Sequence, residues 1–180
     1  ISVTGVQTCA LPIWAVFTNL FVKGPGDIDN NATSGGDLEV TYSSVVFEDG
    51  GEFGFSTVGE NPATINALIE NSTIKELADN AIDMRGEGIS VTVVRSTLVN
   101  NEGGAFIFGG ALQMENSTIT TSHSPGVKQF GGSVALQNMT ISGNELGGIE
   151  VAAPGGRGAA AIAAEDLTLG NSIVSGNGEA

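Results

Sequence analysis

The sequence predicts an all-β fold, a parallel β-solenoid in which short strands stack as repeated coils. A four-residue phrase, Asn-Ser-Thr-Ile at 116–119, returns as Asn-Met-Thr-Ile at 138–141. Each phrase follows an apolar–polar–apolar run and precedes a glycine-rich turn, so a whole strand–turn unit repeats. The runs are short, alternate with period two, and are rich in Val, Ile, Thr and Phe, which is typical of strands rather than helices. A period of roughly 20–30 residues indicates stacked units.

Composition narrows the class of protein. The 180 residues suit one domain, and 41% hydrophobic content is sufficient for a continuous core. The chain has 20 Asp and Glu against 6 Lys and Arg, for a formal net charge of −14. This balance argues against nucleic acid and anionic membrane surfaces as partners, since both need clustered basic residues. No apolar run is long enough for a membrane span.

The N-terminal segment has a different origin in our interpretation. Val3–Ile13 resembles the conceptual translation of a short-read sequencing adapter, and the codon of Trp14 begins with the base that the adapter would leave. We therefore assign 1–13 to an artefact and 14–180 to the repeat domain. Cys9, the sole cysteine, falls in the artefact, which leaves no disulfide framework, thiol nucleophile or Cys-bound metal. We expect a fragment of a longer solenoid, without its signal peptide.

The repeats align on the first residue of each phrase, the lead position. A first partial coil is predicted from the strand run Ala15–Val22 and a loop at 24–36. From Asp37 on, the leads are Tyr42, Asn71, Arg95, Asn116, Asn138 and Asn171. The fourth residues are apolar: Val45, Ile74, Leu98, Ile119, Ile141 and Val174. Two further apolar columns are Ile69, Val93, Met114, Leu136 and Leu169, and Phe55, Met84, Phe108, Phe130 and Val151. This alignment predicts six to seven coils with stacked core columns.

Like residues in such a fold stack at the ordinary interstrand distance of about 4.8 Å. The leads Asn71, Asn116, Asn138 and Asn171 then form a ladder of side-chain amides at a bend, where Asn also tolerates left-handed backbone. A second ladder is predicted six residues on, at Asn101, Ser122, Asn144 and Asn177. Asn31, Asn71, Asn116 and Asn138 also fit the glycosylation pattern Asn-x-Ser/Thr. For the last three we favour the ladder over glycosylation, and for Arg95 an edge irregularity over a ligand contact.

Two stretches carry a family resemblance, Glu115–Ile119 and Asn171–Asn177. They resemble the right-handed parallel β-helix repeats of the pectin-lyase-like superfamily, over roughly 37–177. Leu167–Asn177 is also similar to the last repeats of large bacterial surface proteins. The resemblance implies the right-handed β-helix fold and leaves activity open, because the superfamily contains lyases, hydrolases and adhesins. The Ca²⁺ cluster and catalytic Arg or Lys of its lyases have no counterpart that we can locate, and polygalacturonase signatures are missing.

One column offers candidates for catalysis. Seven residues past successive leads stand Glu102, His123 and Glu145, on consecutive coils. The two carboxylates are then about 9–10 Å apart, near the separation of the acid and base in inverting glycosidases. The sole histidine lies between them and can act as acid or base. The alternative is a solvated turn in a very acidic protein.

A second column offers candidates for ligand binding. It alternates with the predicted Phe column and is therefore expected to face solvent, where Asp83, Gln129 and Glu150 would line a shallow saccharide groove with Lys128 nearby. A plain outer sheet face is the alternative. We expect no cofactor and no specific metal cluster; 27–31 (Asp-Ile-Asp-Asn-Asn) offers hard oxygen ligands for Ca²⁺, with a solvated loop as the favoured reading.

Three functions stay open at this point. The leading hypothesis is a non-enzymatic extracellular or cell-surface repeat protein that contacts polysaccharide or takes part in adhesion. The second is a polysaccharide lyase or glycoside hydrolase that uses Glu102, His123 and Glu145. The third is an inert structural spacer. For partners, we expect a polysaccharide or surface glycan, no nucleic acid and no membrane span, with the chain a monomer or part of a longer one.

Overall fold

The computed structural model describes residues 13–33, 36–58, 63–152 and 164–178. All regular secondary structure in these ranges is β, in 20 strands. No helix long and apolar enough to cross a bilayer occurs among these residues. Apart from Ile13, which begins the first strand, the segment assigned to a sequencing adapter lies outside the described ranges.

The strands form three parallel sheets, and the chain visits the sheets in a fixed order. The first sheet contains β1 (Ile13–Thr18), β4 (Asp37–Ser43), β7 (Thr64–Glu70), β10 (Ile89–Val94), β13 (Ala111–Glu115), β16 (Gly132–Gln137) and β19 (Ala164–Gly170). The second contains β2 (Phe21–Lys23), β5 (Val46–Glu48), β8 (Thr73–Lys75), β11 (Thr97–Val99), β14 (Thr118–Thr120), β17 (Thr140–Ser142) and β20 (Ile173–Ser175). The third contains β3 (Ile28–Thr33), β6 (Phe53–Val58), β9 (Asn80–Arg85), β12 (Gly103–Ile107), β15 (Val127–Gln129) and β18 (Ile149–Val151).

Each strand pairs with the strand one coil away, so the predicted β-solenoid is confirmed. The core runs along the axis as columns of inward side chains. In the first sheet one column consists of Phe17, Tyr42, Ile69, Val93, Met114, Leu136 and Leu169. In the second sheet the main column consists of Val22, Phe47, Ile74, Leu98, Ile119, Ile141 and Val174. The alternation of burial along β7, β10 and β14 matches the pleat, because successive side chains point to opposite faces.

The alignment of the second coil was wrong by two residues. Tyr42 pairs with Ile69 and is buried, so it belongs to the core column rather than to the lead. Ser44 occupies the lead instead, with a left-handed φ of 56°. Phe47, and not Val45, takes the fourth position beside Ile74. The lead position is defined by the left-handed backbone of the corner, and here a serine adopts that conformation in place of an asparagine. An alignment based on apolar residues cannot detect a backbone conformation.

The third-sheet register was also wrong by one residue in two coils. Met84 pairs with Ile107, and Ile107 with Gln129, so these residues share the column of Phe55 and Val151. Phe108 and Phe130 come directly after the ends of β12 and β15. A slip of one residue moves a side chain to the opposite face of a sheet, so the predicted core column and the predicted outward column exchange members here.

The loop predicted at 24–36 contains a strand. β3 occupies Ile28–Thr33 and pairs in parallel with β6. Asn30 points inward, where its side chain accepts a hydrogen bond from the Tyr42 hydroxyl at 2.8 Å and donates to the carbonyl of Gly54 at 3.1 Å. Because an inward asparagine interrupts the apolar alternation, the strand was not recognised in the sequence. The two hydrogen bonds satisfy the buried side-chain amide of Asn30.

Candidate functional site

The outer face of the third sheet concentrates aromatic and cationic side chains. Phe106 and Lys128 are direct neighbours on β12 and β15, and Glu150 follows on β18. Asp83 precedes Phe106 in the same column on β9. Arg85, Phe108 and Phe130 lie at the carboxyl ends of the same strands. We call Arg85, Phe106, Phe108, Lys128 and Phe130 the aromatic–cation strip.

The rings of the strip pack against each other and against the cations. Phe108 and Phe130 stack with centroids 4.6 Å apart and planes 4° from parallel, as expected for equivalent positions on adjacent coils. Phe106 lies 6.4 Å from Phe130, tilted by 48°. The Arg85 guanidinium is 5.7 Å from the Phe108 ring and the Lys128 ammonium 5.3 Å from the Phe130 ring, both within cation–π range. Phe108 remains 36% exposed, so apolar ring surface is available at this face.

Carboxylates hold the cations of the strip. Arg85 donates through Nε to Asp83 Oδ1 at 2.6 Å and through Nη2 to Asp83 Oδ2 at 2.9 Å. The same Nη2 lies 3.5 Å from Glu52 Oε2. The Asp83 hydrogen bond raises the pKa of Arg85, which stays charged. Burial, with the Asp83 charge nearby, raises the pKa of Glu52. Lys128 is 2.9 Å from Glu150.

The structure divides the three predicted ligand-binding residues. Asp83 and Glu150 lie in the outward column beside the strip. Asp83 is nevertheless covered by its neighbours and only 1% exposed. Gln129 points into the core, where its Nε2 donates to the carbonyl of Gly132 at 2.7 Å, so the prediction that it faces solvent was wrong. The strip residues other than Lys128 were missed, although aromatic residues at 106, 108 and 130 were a visible signal.

The three predicted catalytic residues do stack on consecutive coils. His123 Nδ1 lies 3.8 Å from Glu102 Oε2, and its Nε2 lies 4.0 Å from Glu145 Oε1. The backbone N–H of His123 donates to Asn101 and that of Glu145 to Ser122, which fixes the stacking. All three side chains are more than half exposed. The stack therefore brings acid and base candidates together on an open corner, at distances longer than hydrogen bonds.

The acidic groups of the described residues include one trio, Glu48, Asp49 and Glu76, with oxygens close enough to share a cation. Two lysines form ion pairs with this trio: Lys23 lies 2.7 Å from Glu48 and 3.0 Å from Asp49, and Lys75 lies 2.9 Å from Glu48. These hydrogen bonds lower the pKa of Glu48, first through Lys23 and then through Lys75. Asp27–Asn31, considered for Ca²⁺, is split by β3: Asn30 points inward, away from its neighbours Asp29 and Asn31.

The asparagine ladder predicted at the lead corner is present in part. At the lead corner Asn138 Nδ2 donates to Asn116 Oδ1 at 3.2 Å, and Arg95 Nε donates to Asn71 Oδ1 at 2.8 Å. Arg95 has the left-handed φ of its neighbours, so it continues this ladder rather than interrupting it. Behind the lead a serine ladder was missed; its members Ser72, Ser96, Ser117 and Ser172 each accept a backbone N–H from the previous coil.

Comparison with protein-family models matches the chain to a β-helix family. The family model described as right-handed β-helix region matches residues 59–180 of the chain. No curated protein and no solved structure matches the chain. The matched range includes the aromatic–cation strip and the Glu102–His123–Glu145 stack.

Proposed function

Because this chain belongs to the right-handed β-helix family, we propose that it is a non-enzymatic repeat protein of the extracellular space or cell surface that contacts polysaccharide. The aromatic–cation strip on the third sheet is the proposed contact surface. The observation that carries the proposal is the stack of Phe108 on Phe130, flanked by cations and carboxylates on a rigid sheet.

The chemistry of a sugar matches this arrangement. A pyranose ring has an apolar C–H face, which packs well on aromatic carbon, and a rim of hydroxyl groups that need hydrogen-bond partners. Phe106 and Phe108 offer aromatic carbon, while Lys128 and Glu150 lie in the same outward row and offer a donor and an acceptor. Successive coils repeat at about 4.8 Å, so an extended polymer along the solenoid axis meets new side chains at each coil.

Architecture and charge support the proposal as well. In a solenoid the backbone hydrogen bonds and inward columns stabilise the fold, and the outer side chains are free to form a long binding surface. The net charge of −14 disfavours nucleic acid, which leaves uncharged or weakly charged polymers as suitable partners.

Binding to an immobilised polysaccharide panel tests the proposal. Phe108→Ala removes an exposed ring of the strip, and we expect it to weaken binding about tenfold, as loss of an aromatic anchor usually does. Thr118→Ala, on the outer face of the second sheet, is the matched control and should bind like the native chain. If the native chain binds no polysaccharide, or if both variants bind normally, the proposal is wrong.

A second candidate function is polysaccharide cleavage, favoured by the contacts of His123 with Glu102 and Glu145. One carboxylic acid would protonate the leaving oxygen and the other carboxylate would activate water, with His123 as an alternative acid or base. Release of reducing ends or of unsaturated products from pectin and alginate tests it. Glu102→Gln should abolish any such activity; without activity in the native chain this candidate falls, and without binding as well an inert spacer remains.

A further inference from the structure

We infer that the ligand of the aromatic–cation strip is an uncharged polysaccharide rather than a uronate polymer. This inference rests on the proposed function and adds the substrate class. An Arg and a Lys beside aromatic rings would ordinarily suit carboxylate groups. Here both cations are already paired with carboxylates of the chain, which disfavours an anionic ligand.

Arg85 is committed to Asp83. Its Nε and Nη2 bind the two carboxylate oxygens of Asp83 at 2.6 and 2.9 Å, and Asn80 Nδ2 donates to the same carboxylate at 2.9 Å. The Asp83 side chain is 2% exposed. If Arg85 turned to a ligand carboxylate, a buried charge would lose its main partner, which is strongly unfavourable. Arg85 therefore acts as a fixed, already neutralised group.

Lys128 is committed in the same way, though less deeply. Its ammonium lies 2.9 Å from Glu150 Oε2, with both side chains less than one third exposed. The same ammonium lies 5.3 Å from the Phe130 ring, so the anion and the ring fix it from two sides. A neutral hydroxyl can share the lone pairs of Glu150 without displacing Lys128, whereas a carboxylate ligand must compete with Glu150 directly.

The local charge balance completes the argument. The strip and its paired acids contain two cations, Arg85 and Lys128, against three carboxylates, Glu52, Asp83 and Glu150. The surroundings are acidic too, since the whole chain has a net charge of −14. A polyanion approaching this face meets net repulsion, while a neutral polymer loses nothing.

The test compares ligands that share a backbone and differ in charge. Binding of the full chain is measured to highly methyl-esterified pectin and to polygalacturonate, with mannan, xylan, β-glucan and alginate completing the panel. We expect the tightest binding in the neutral set, with less than about a twofold change between low and high salt, because screening acts on charged pairs. Glu150→Gln frees Lys128 and should raise affinity for polygalacturonate by about threefold.

Glu70→Gln is the matched control. Glu70 pairs with Arg95 at 3.1 Å on the lead corner, away from the strip, so the same change of charge there should leave the glycan preference unchanged. Tighter binding of polygalacturonate or alginate by the native chain overturns the inference and leaves the proposed function standing. An equal effect of Glu70→Gln and Glu150→Gln also overturns it, since the cause would then be net charge alone. Absence of any binding overturns the proposed function itself.

Discussion

Asparagines mark both corners that flank the second sheet, but they serve opposite purposes there. At the entry corner, between the first and second sheets, Asn71, Asn116, Asn138 and Asn171 have φ values of 50°, 51°, 53° and 46° and exposed side chains. At the exit corner, between the second and third sheets, Asn101 and Asn144 are 0% exposed, and Asn177 is partly buried. There the left-handed residue is the preceding one, such as Asn100 with φ 57°.

The difference separates two reasons for using asparagine. At the entry corner the residue must tolerate a left-handed backbone, and Ser44 and Arg95 do so in its place. At the exit corner the side chain satisfies backbone groups that the turn leaves free: Asn101 accepts from the N–H of Leu77 and donates to the carbonyl of Ile74. Buried hydrogen bonds are more costly to lose than exposed ones, so the two corners should respond very differently to the same substitution.

The largest effect is expected from Asn101→Ala. It leaves the N–H of Leu77 and the carbonyl of Ile74 buried without these partners, which should lower the free energy of unfolding by about 2–4 kcal/mol. Urea denaturation of the native chain and the variant measures the change. A loss below about 1 kcal/mol for the alanine variant would contradict the role of the buried ladder.

A third buried asparagine can be monitored through its partner. Asn30 Oδ1 accepts a hydrogen bond from the Tyr42 hydroxyl. Burial raises the pKa of Tyr42 from 10.0 to about 12, because the phenolate is disfavoured in the core. Stability that depends on the protonated hydroxyl is complete below the unfolded pKa near 10.0 and is lost as pH rises toward about 12.

Since Tyr42 is the sole tyrosine, the phenolate absorbance of the chain reports this residue alone. In a spectrophotometric titration the midpoint should lie near 12, or coincide with unfolding. Tyr42→Phe should abolish the signal. A midpoint close to the ordinary value in a chain that remains folded would show that the Asn30–Tyr42 pair is open to water.

Ser117→Ala tests the serine ladder behind the entry corner. Ser117 Oγ accepts the N–H of Ser96 at 3.0 Å and donates to the carbonyl of Glu115 at 2.8 Å, and it is buried. Its removal should lower the free energy of unfolding by about 1–2 kcal/mol. Ser90→Ala, at an exposed position of β10, is the control and should change stability by less than about 0.5 kcal/mol. Equal effects of the two substitutions would show that the serine ladder does not stabilise the fold.

The smallest effect is expected at Asn116. Asn116→Ala loses the exposed hydrogen bond from Asn138 and puts alanine, which tolerates left-handed backbone less well than asparagine, at this corner, which should cost about 1 kcal/mol or less. Asn116→Gly should be nearly neutral, because glycine adopts this conformation freely. If thermal unfolding shows Asn116→Ala to be as damaging as Asn101→Ala, the distinction between the corners fails.

The predictability of each region follows from what repeats. The columns led by Ile69 and Ile74 were read correctly, because the entry corner has a constant two-residue length and keeps the strands in phase. The third sheet follows corners of variable length, and there Phe108 and Phe130 were assigned to the core in place of Ile107 and Gln129. The same one-residue error placed Gln129 among the predicted ligand-binding residues. Glu102, His123 and Glu145 were placed correctly because their corner directly follows the regular second sheet.

The sequence by itself determined the β-solenoid and the positions of its asparagine corners, since period-two alternation and recurring Asn-x-Thr phrases allow little else. Only the tertiary structure decided which residues meet across coils. The register of parallel strands is set by backbone hydrogen bonds between residues more than twenty positions apart, and one residue of slip exchanges the two faces of a strand. For that reason the aromatic–cation strip, with Asp83 holding Arg85, became visible only in the folded chain.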